Sequence, residues 1–241
     1  NRHTIFLPVS WGRRGVSAEE TGRDTILVDG CVDNHKERPH RPSWHQKNDT
    51  AYLKSLAAQG IALEDIDYVM CTHMHVDHVG WNTQLVDGRW VPTFPNAKYL
   101  FSQKEYDYWV EEHGKEPQQH FADSVLPIVE AKRATMGTSD HAPDAEIWLH
   151  PTPGHTPDHY AIRLSSAGKD AVFSGDLMHS PIQCRYPDWR ARPDYDPQQS
   201  RESRLAIMDR YCKTDVLICT AHFPPLMRGK VGLGRVLQHF Y

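Results

Sequence analysis

A chain of 241 residues is long enough for one α/β domain with a substantial core, and residues 1–241 are expected to form a single domain. Its net charge of −4, from 27 basic and 31 acidic residues, gives no overall positive field for a polyanion, so no nucleic-acid partner is expected. Five cysteines without a CxxC spacing argue against a disulfide framework, and no stretch reaches the ~20 apolar residues of a membrane span. A cytoplasmic protein with no membrane contact is the expectation, with an exported form left open because the first residue is Asn1.

Residues 25–29 form a short β-rich run that ends in the turn signal Asp29-Gly30. Residues 32–47 are polar, with Pro39 and Pro42, and read as a long loop that serves as a pocket wall or as an arm reaching a partner copy in a homodimer. His35, His40 and His45 fall in this loop and are not read as ligands. Asn48 or Asp49 can cap a helix carrying Leu53, Leu56 and Ala57 on one face, which Gly60 can end. Residues 67–72 return to strand character, as do residues 97–102; helices are predicted over 103–113 and 118–133. Tyr106, Tyr108 and Trp109 read as packing residues. Beyond residue 145 the pattern turns β-rich, with strands over 147–151, 159–165 and 171–174, then a helix over 198–211 and a buried strand over 215–220. Cys71 and Cys219 lie inside apolar runs and read as small core side chains. The order of elements predicts two sheets covered by helices.

The chemistry concentrates at strand ends. His73, His75, Asp77 and His78 place four metal-competent side chains within six residues, directly after the strand at 67–72. Gly80 is expected to let the backbone turn tightly enough for them to converge. His155 in Pro153-Gly154-His155-Thr156, Asp176 in Ser174-Gly175-Asp176 and His222 in Ala221-His222 follow the later strands. Seven donors exceed one tetrahedral ion and suit two ions sharing a carboxylate.

In this order, Thr72-His73-Met74-His75-Val76-Asp77-His78-Val79-Gly80, Thr152-Pro153-Gly154-His155-Thr156, Gly175-Asp176 and Ala221-His222 resemble the motif series of the metallo-β-lactamase superfamily, over about residues 25–225. The resemblance implies an αββα sandwich of two mixed sheets flanked by helices. It implies one divalent ion on His73, His75 and His155 and a second on Asp77, His78 and His222, with Asp176 bridging. Zinc is the expected metal, with manganese and iron as alternatives. It also implies hydrolysis by a metal-bridging hydroxide, with Asp77 as general acid and base. His159 is assigned a supporting hydrogen bond near the site.

The histidine at His78 and the aspartate at Asp176 point away from β-lactam hydrolysis and toward lactonases, glyoxalase II, processing nucleases and organophosphate hydrolases. No basic substrate arm suits a nuclease, a glutamate of the flavodiiron type is absent at His75, and only 19 residues follow His222, too few for the helical domain of glyoxalase II. The expected activity is opening of a lactone or cleavage of a small ester, with phosphotriester hydrolysis as the enzymatic alternative and a non-catalytic metal-binding scaffold as the alternative of another class. His179 stands three residues after Asp176, where many acyl-homoserine lactonases carry a tyrosine, and is a catalytic candidate for binding the oxyanion. Trp44, Trp81 and Phe223 are candidates for an apolar pocket, with plain packing the competing reading. Arg185, Arg190 and Arg192, interleaved with Asp188, Asp194 and Asp196, read as a mixed, solvated loop.

Overall fold

The structure, a computed structural model, describes residues 3–6, 24–143, 145–166, 168–223, 228–231 and 237–238. Its contacts divide the chain into two compact units, Asn1–Gly137 and Thr138–Tyr241, each with its own sheet and core.

In the first unit, β1 (His3–Phe6), β2 (Asp24–Val28) and β3 (Tyr68–Met70) precede a hairpin of β4 (Thr83–Val86) and β5 (Arg89–Pro92). β6 (Lys98–Ser102) and β7 (Ala134–Gly137) complete a five-stranded sheet of order β1-β2-β3-β6-β7, with the hairpin standing apart as a two-stranded sheet. Every described pair of the five-stranded sheet is parallel, where a mixed sheet was expected. Parallel neighbours require a crossover. Helix α1 (Ala51–Ala57) lies in the connection from β2 to β3. The short α2 (Val76–Val79) and the hairpin lie between β3 and β6, and α3 (Gln103–Lys115), α4 (Gln119–Ser124) and α5 (Leu126–Glu130) lie between β6 and β7. The carboxyl ends of β2 and β3 therefore emerge side by side, which brings Asp29 to the start of the His-rich loop. Leu27, Val69, Tyr99, Phe101, Trp109, Phe121 and Ile128 belong to the core.

Three details depart from the sequence reading. The helix expected over 118–133 is two helices, because Pro127 has no N–H to extend α4 and sits instead in the first turn of α5. The hairpin at Thr83–Pro92 carries a legible signal, Asp87-Gly88, whose φ values of 49° and 75° suit a two-residue turn. Residues 32–47 are irregular, as expected, but not wholly an outward arm: Asp33, Asn34, Lys36 and Arg38 point inward, while His35, Glu37, His40 and His45 are exposed.

The Lys36 ammonium is buried, donates to the Gly80 carbonyl, Thr83 Oγ1 and Ser124 Oγ at 2.7–2.8 Å, and lies 3.4 Å from Asp33 and 3.6 Å from Asp123. Arg38 binds both oxygens of Asp123, at 2.8 and 2.9 Å. A charge this enclosed is tolerated only with such a set of partners, so the loop is pinned to α4 and to the hairpin's first strand.

The second unit holds a six-stranded sheet of order β13-β12-β11-β10-β9-β8. β8 (Ile147–Pro151), β9 (Tyr160–Ser166) and β10 (Lys169–Phe173) form the expected antiparallel meander. β11 (Leu217–Cys219) pairs parallel with β10, reached through α6 (Ile182–Arg185) and α7 (Pro197–Tyr211), and β12 (Arg228–Val231) and β13 (Leu237–Gln238) continue antiparallel. This sheet is mixed, as expected. Asp196 caps α7, accepting from the N–H groups of Gln198 and Gln199 at 3.0 Å, and Pro197 fits the first turn. Val172, Ile207, Met208, Ile218 and Phe223 anchor the core. Among the described residues, no helix is long and apolar enough to cross a membrane.

Candidate metal centre

In the first unit, the loop after β3 delivers His73 and His75, and α2 delivers Asp77 and His78 in its first turn. His73 Nε2 and His75 Nδ1 lie 3.1 Å apart. Two nitrogens bound to one tetrahedral zinc at ~2.05 Å stand about 3.3 Å apart, so this pair is spaced as ligands of one ion. The His73 and His78 rings are 4.0 Å apart, and Asp77 Oδ1 lies 4.0 Å from His78 Nε2.

These donors are held from behind by residues that the sequence reading did not assign to the site. Asp29 sits at φ 61°, just past β2. One of its oxygens accepts the Thr72 backbone N–H at 2.8 Å, and the other meets His78 Nδ1 at 2.9 Å. The carboxylate accepts a hydrogen bond from Nδ1–H and so leaves Nε2 as the nitrogen available to a metal ion. Buried Glu105 accepts the Met74 N–H at 3.3 Å and the Trp109 indole N–H at 3.0 Å, fixing the backbone between His73 and His75. Asp29 is half of the turn signal Asp29-Gly30 and Glu105 lies inside α3; neither carries a local mark of its role.

Gly80 serves differently from the expectation. Its φ of −53° is ordinary helical backbone. The requirement is proximity: a Cβ here would stand 2.2 Å from the Cys31 carbonyl oxygen and 2.6 Å from the Asp33 nitrogen.

In the second unit, His155, Asp176, His179 and His222 gather around one carboxylate. Asp176 Oδ2 lies 3.3 Å from His155 Nε2, 3.1 Å from His179 Nε2 and 3.0 Å from His222 Nε2, and Asp176 Oδ1 lies 2.9 Å from His222 Nε2. His155, Asp176 and His179 offer donor atoms that all lie within 4.8 Å of one another. The rings of His179 and His222 stack at 5.0 Å. His179, expected to act on substrate, thus also reaches the carboxylate read as bridging. Gln183 fixes its backbone by accepting the His179 N–H at 2.7 Å.

His159 makes a hydrogen bond to the backbone of Asp176. It is fully buried, its Nε2 accepts the Asp176 N–H at 3.1 Å, and its Nδ1 lies 2.7 Å from Thr152 Oγ1. Gly154 is obligatory here: φ is 124°, and a Cβ would meet the Ser200 nitrogen at 2.0 Å where α7 begins. Asp194 departs from the solvated-loop reading, because its side chain is fully enclosed and its Oδ1 lies 3.0 Å from His155 Nδ1. Arg185, Arg190, Arg192, Asp188 and Asp196 are exposed, as that reading expected.

Trp81 stacks on Tyr52 at 4.8 Å in the first core and Phe223 is buried in the second, so both are packing residues. Trp44 lies half-buried under the Arg41 guanidinium.

The donor chemistry fits divalent cations. Burial disfavours a charge on His155, yet the Asp176 and Asp194 carboxylates on either side outweigh it and hold its pKa up to about 9. A ring nitrogen facing a buried carboxylate at 3.3 Å needs a positive charge at that position, which a proton or a metal ion can supply. The imidazole and carboxylate set is one that zinc, manganese and iron accept.

Known proteins include relatives of similar sequence and of similar fold. The frog (Xenopus laevis) metallo-beta-lactamase domain-containing protein 1 is 29% identical over 189 residues, which are 78% of this chain and 63% of that protein. An N-acyl homoserine lactonase from a Bacillus species is 27% identical over 114 residues, 47% of this chain and 39% of its own length. The chain thus spans less than two thirds of either relative. Among solved structures, the hydrolase AbOPH of the beta-lactamase superfamily superposes with a TM-score of 0.72 at 25% identity, covering 90% of this chain and 76% of that one. The dizinc quorum-quenching lactonase AidC superposes with a TM-score of 0.71 at 22% identity, covering 92% and 78%, a likeness of fold. Residues 19–222 match the profile of the metallo-beta-lactamase superfamily, and with the strand-end histidines and aspartates in its order the chain belongs to that superfamily and has its fold.

Proposed function

We propose that this protein is a dinuclear metal-dependent hydrolase that opens a lactone or cleaves a related small ester. The observation that carries the reading is the set of donors at strand ends, His73, His75, Asp77, His78, His155, Asp176 and His222, which all lie within the residues 19–222 that match the superfamily. His73, His75 and His155 would hold one ion, Asp77, His78 and His222 the other, and Asp176 would serve both. When bound, such a pair acidifies a water molecule and polarises the substrate carbonyl, with zinc the expected metal.

The chain's own residues supply the rest. Asp77 takes the proton that the attacking water loses as its oxygen joins the carbonyl carbon. It returns that proton to the ring oxygen when the C–O ester bond breaks, so no serine or cysteine nucleophile is needed. His179 presents an imidazole N–H to the developing oxyanion, in the place where many acyl-homoserine lactonases have a tyrosine. The apolar part of the substrate is assigned to the segment after Asp176. Ile182, Tyr186, Trp189 and Tyr195 are four of the seven large apolar side chains exposed among the described residues, and Tyr186 and Trp189 stack on each other at 5.5 Å, an exposed apolar pair suited to an acyl chain.

Protein purified without chelator and loaded with zinc is expected to hold two ions per chain and to hydrolyse lactones with higher kcat/KM than aryl esters or phosphotriesters. Asp77→Asn and His155→Ala are each expected to lower kcat/KM by about 10²-fold or more. Full turnover in either variant with normal metal content would refute the mechanism, a preference for phosphotriesters would move the assignment to that chemistry, and less than one ion per chain would favour a scaffold.

A further inference from the structure

The geometry points to Asp194 as a positioning residue: it fixes the proton of His155 on Nδ1, so that Nε2 is presented to a metal ion. This rests on the metal-dependent reading above and adds to it a residue outside the superfamily motifs.

Asp194 uses both carboxylate oxygens. Oδ1 lies 3.0 Å from His155 Nδ1, and Oδ2 accepts the Ala191 N–H at 3.0 Å. The side chain is fully enclosed, so water does not compete for either bond. A carboxylate has no proton to give, so the hydrogen of this contact belongs to the imidazole, and the opposite nitrogen, 3.3 Å from Asp176, is the one whose proton a metal ion would replace. A carboxylate so placed also raises the basicity of the ring nitrogen opposite it.

The loop does not depend on this contact for its place. The Tyr195 N–H donates to the His155 carbonyl at 3.1 Å, and the Asp196 N–H donates to the Gly154 carbonyl at 2.8 Å. Asp196 caps α7, whose first turn packs against Gly154 where only a glycine fits. Backbone contacts therefore dock residues 194–196 beside the His155 loop, and the Asp194 carboxylate is left to act on the ring.

Substitution by asparagine separates the two roles. An amide has one accepting oxygen, so turning it to keep the Ala191 bond points an NH2 donor at His155 Nδ1, and turning it the other way opposes the NH2 to the Ala191 N–H. Either way one contact is lost. The first orientation moves the imidazole proton to Nε2, where it blocks metal binding.

Spectra of the wild-type ring and the metal affinity of variants test this. In zinc-loaded wild-type protein, long-range 1H–15N spectra should show the His155 proton on Nδ1; a proton on Nε2 overturns the proposal. In Asp194→Asn, competition with a chromophoric chelator should show zinc bound about 10–100-fold more weakly at one of two sites, with Asp194→Glu recovering part of the loss. The cobalt-substituted protein should show a changed visible absorption band, with kcat lowered more than KM is raised. Two ions held with unchanged affinity by Asp194→Asn overturn the proposal and leave the hydrolase reading intact, whereas wild-type protein that holds no ion sinks both. If Asp194→Asn fails to fold, the tautomer of the wild-type ring and the behaviour of Asp194→Glu decide.

Discussion

Two histidines on separate units, His78 and His155, are treated alike: each has a carboxylate on Nδ1, from Asp29 at 2.9 Å and Asp194 at 3.0 Å. A histidine left to itself divides its proton between two nitrogens, and a ligand must not, so the buried carboxylate turns a mixture into one tautomer. Asp29→Asn is accordingly expected to weaken metal binding by about 10–100-fold, read by chelator competition, with a loss of stability as the Thr72 contact weakens. A different histidine gives a pH prediction. His120 packs edge-on to Trp109 at 4.6 Å, and burial, helped by the positive charge of Arg38, lowers its pKa to about 4. Its neutral form is therefore favoured in the fold, and its contribution to stability is complete above the ordinary histidine pKa of about 6.5 and is lost as pH falls through about 4. Urea unfolding at several pH values should show His120→Gln losing less stability than wild type across that window.

At the scale of elements, the decisive feature is how closely backbones approach behind the donors. Gly80 ends α2 against residues 31–33, and Gly154 lets the His155 loop meet α7. Gly80→Ala is expected to cost about 3 kcal/mol or more, because backbone atoms on both sides must move; denaturant midpoints measure it. The segment between Asp176 and Asp194 is a strap with both ends in the site. Its middle is held by buried Arg204 of α7, which donates to the carbonyls of Leu177 at 3.0 Å and Pro187 at 2.5 Å, and by Gln183, which donates to the Trp189 carbonyl at 2.9 Å. A strap so braced can hold Tyr186 and Trp189, stacked at 5.5 Å, on its outer side. If that face takes the apolar part of a substrate, Trp189→Ala should raise KM for long-chain lactones by about 5- to 10-fold, corresponding to ~1–1.5 kcal/mol, and leave short-chain lactones unchanged.

At the scale of the whole molecule, the donor set predicts that fold stability and metal content are linked. Ions that bind only the folded chain add RT ln(1 + [L]/Kd), so removal by chelator should lower the thermal midpoint and restoring zinc should recover it. An unchanged midpoint would mean that the donor set is not loaded.

The sequence by itself determined the parts whose signal is local. A strand is apolar over a few consecutive residues, and His73, His75, Asp77 and His78 crowd four metal-competent side chains into six positions, so both are legible without coordinates. The superfamily follows from the same short strings. What only the tertiary structure decided depends on atoms distant in the chain. Asp194 reads as one more charge in a polar loop until it is found enclosed against His155, 39 residues away, and Asp29 until it is found against His78, 49 residues away. Gly80 shows the same limit, since a space too small for a methyl group is a property of two backbones meeting, and no single stretch of sequence contains both.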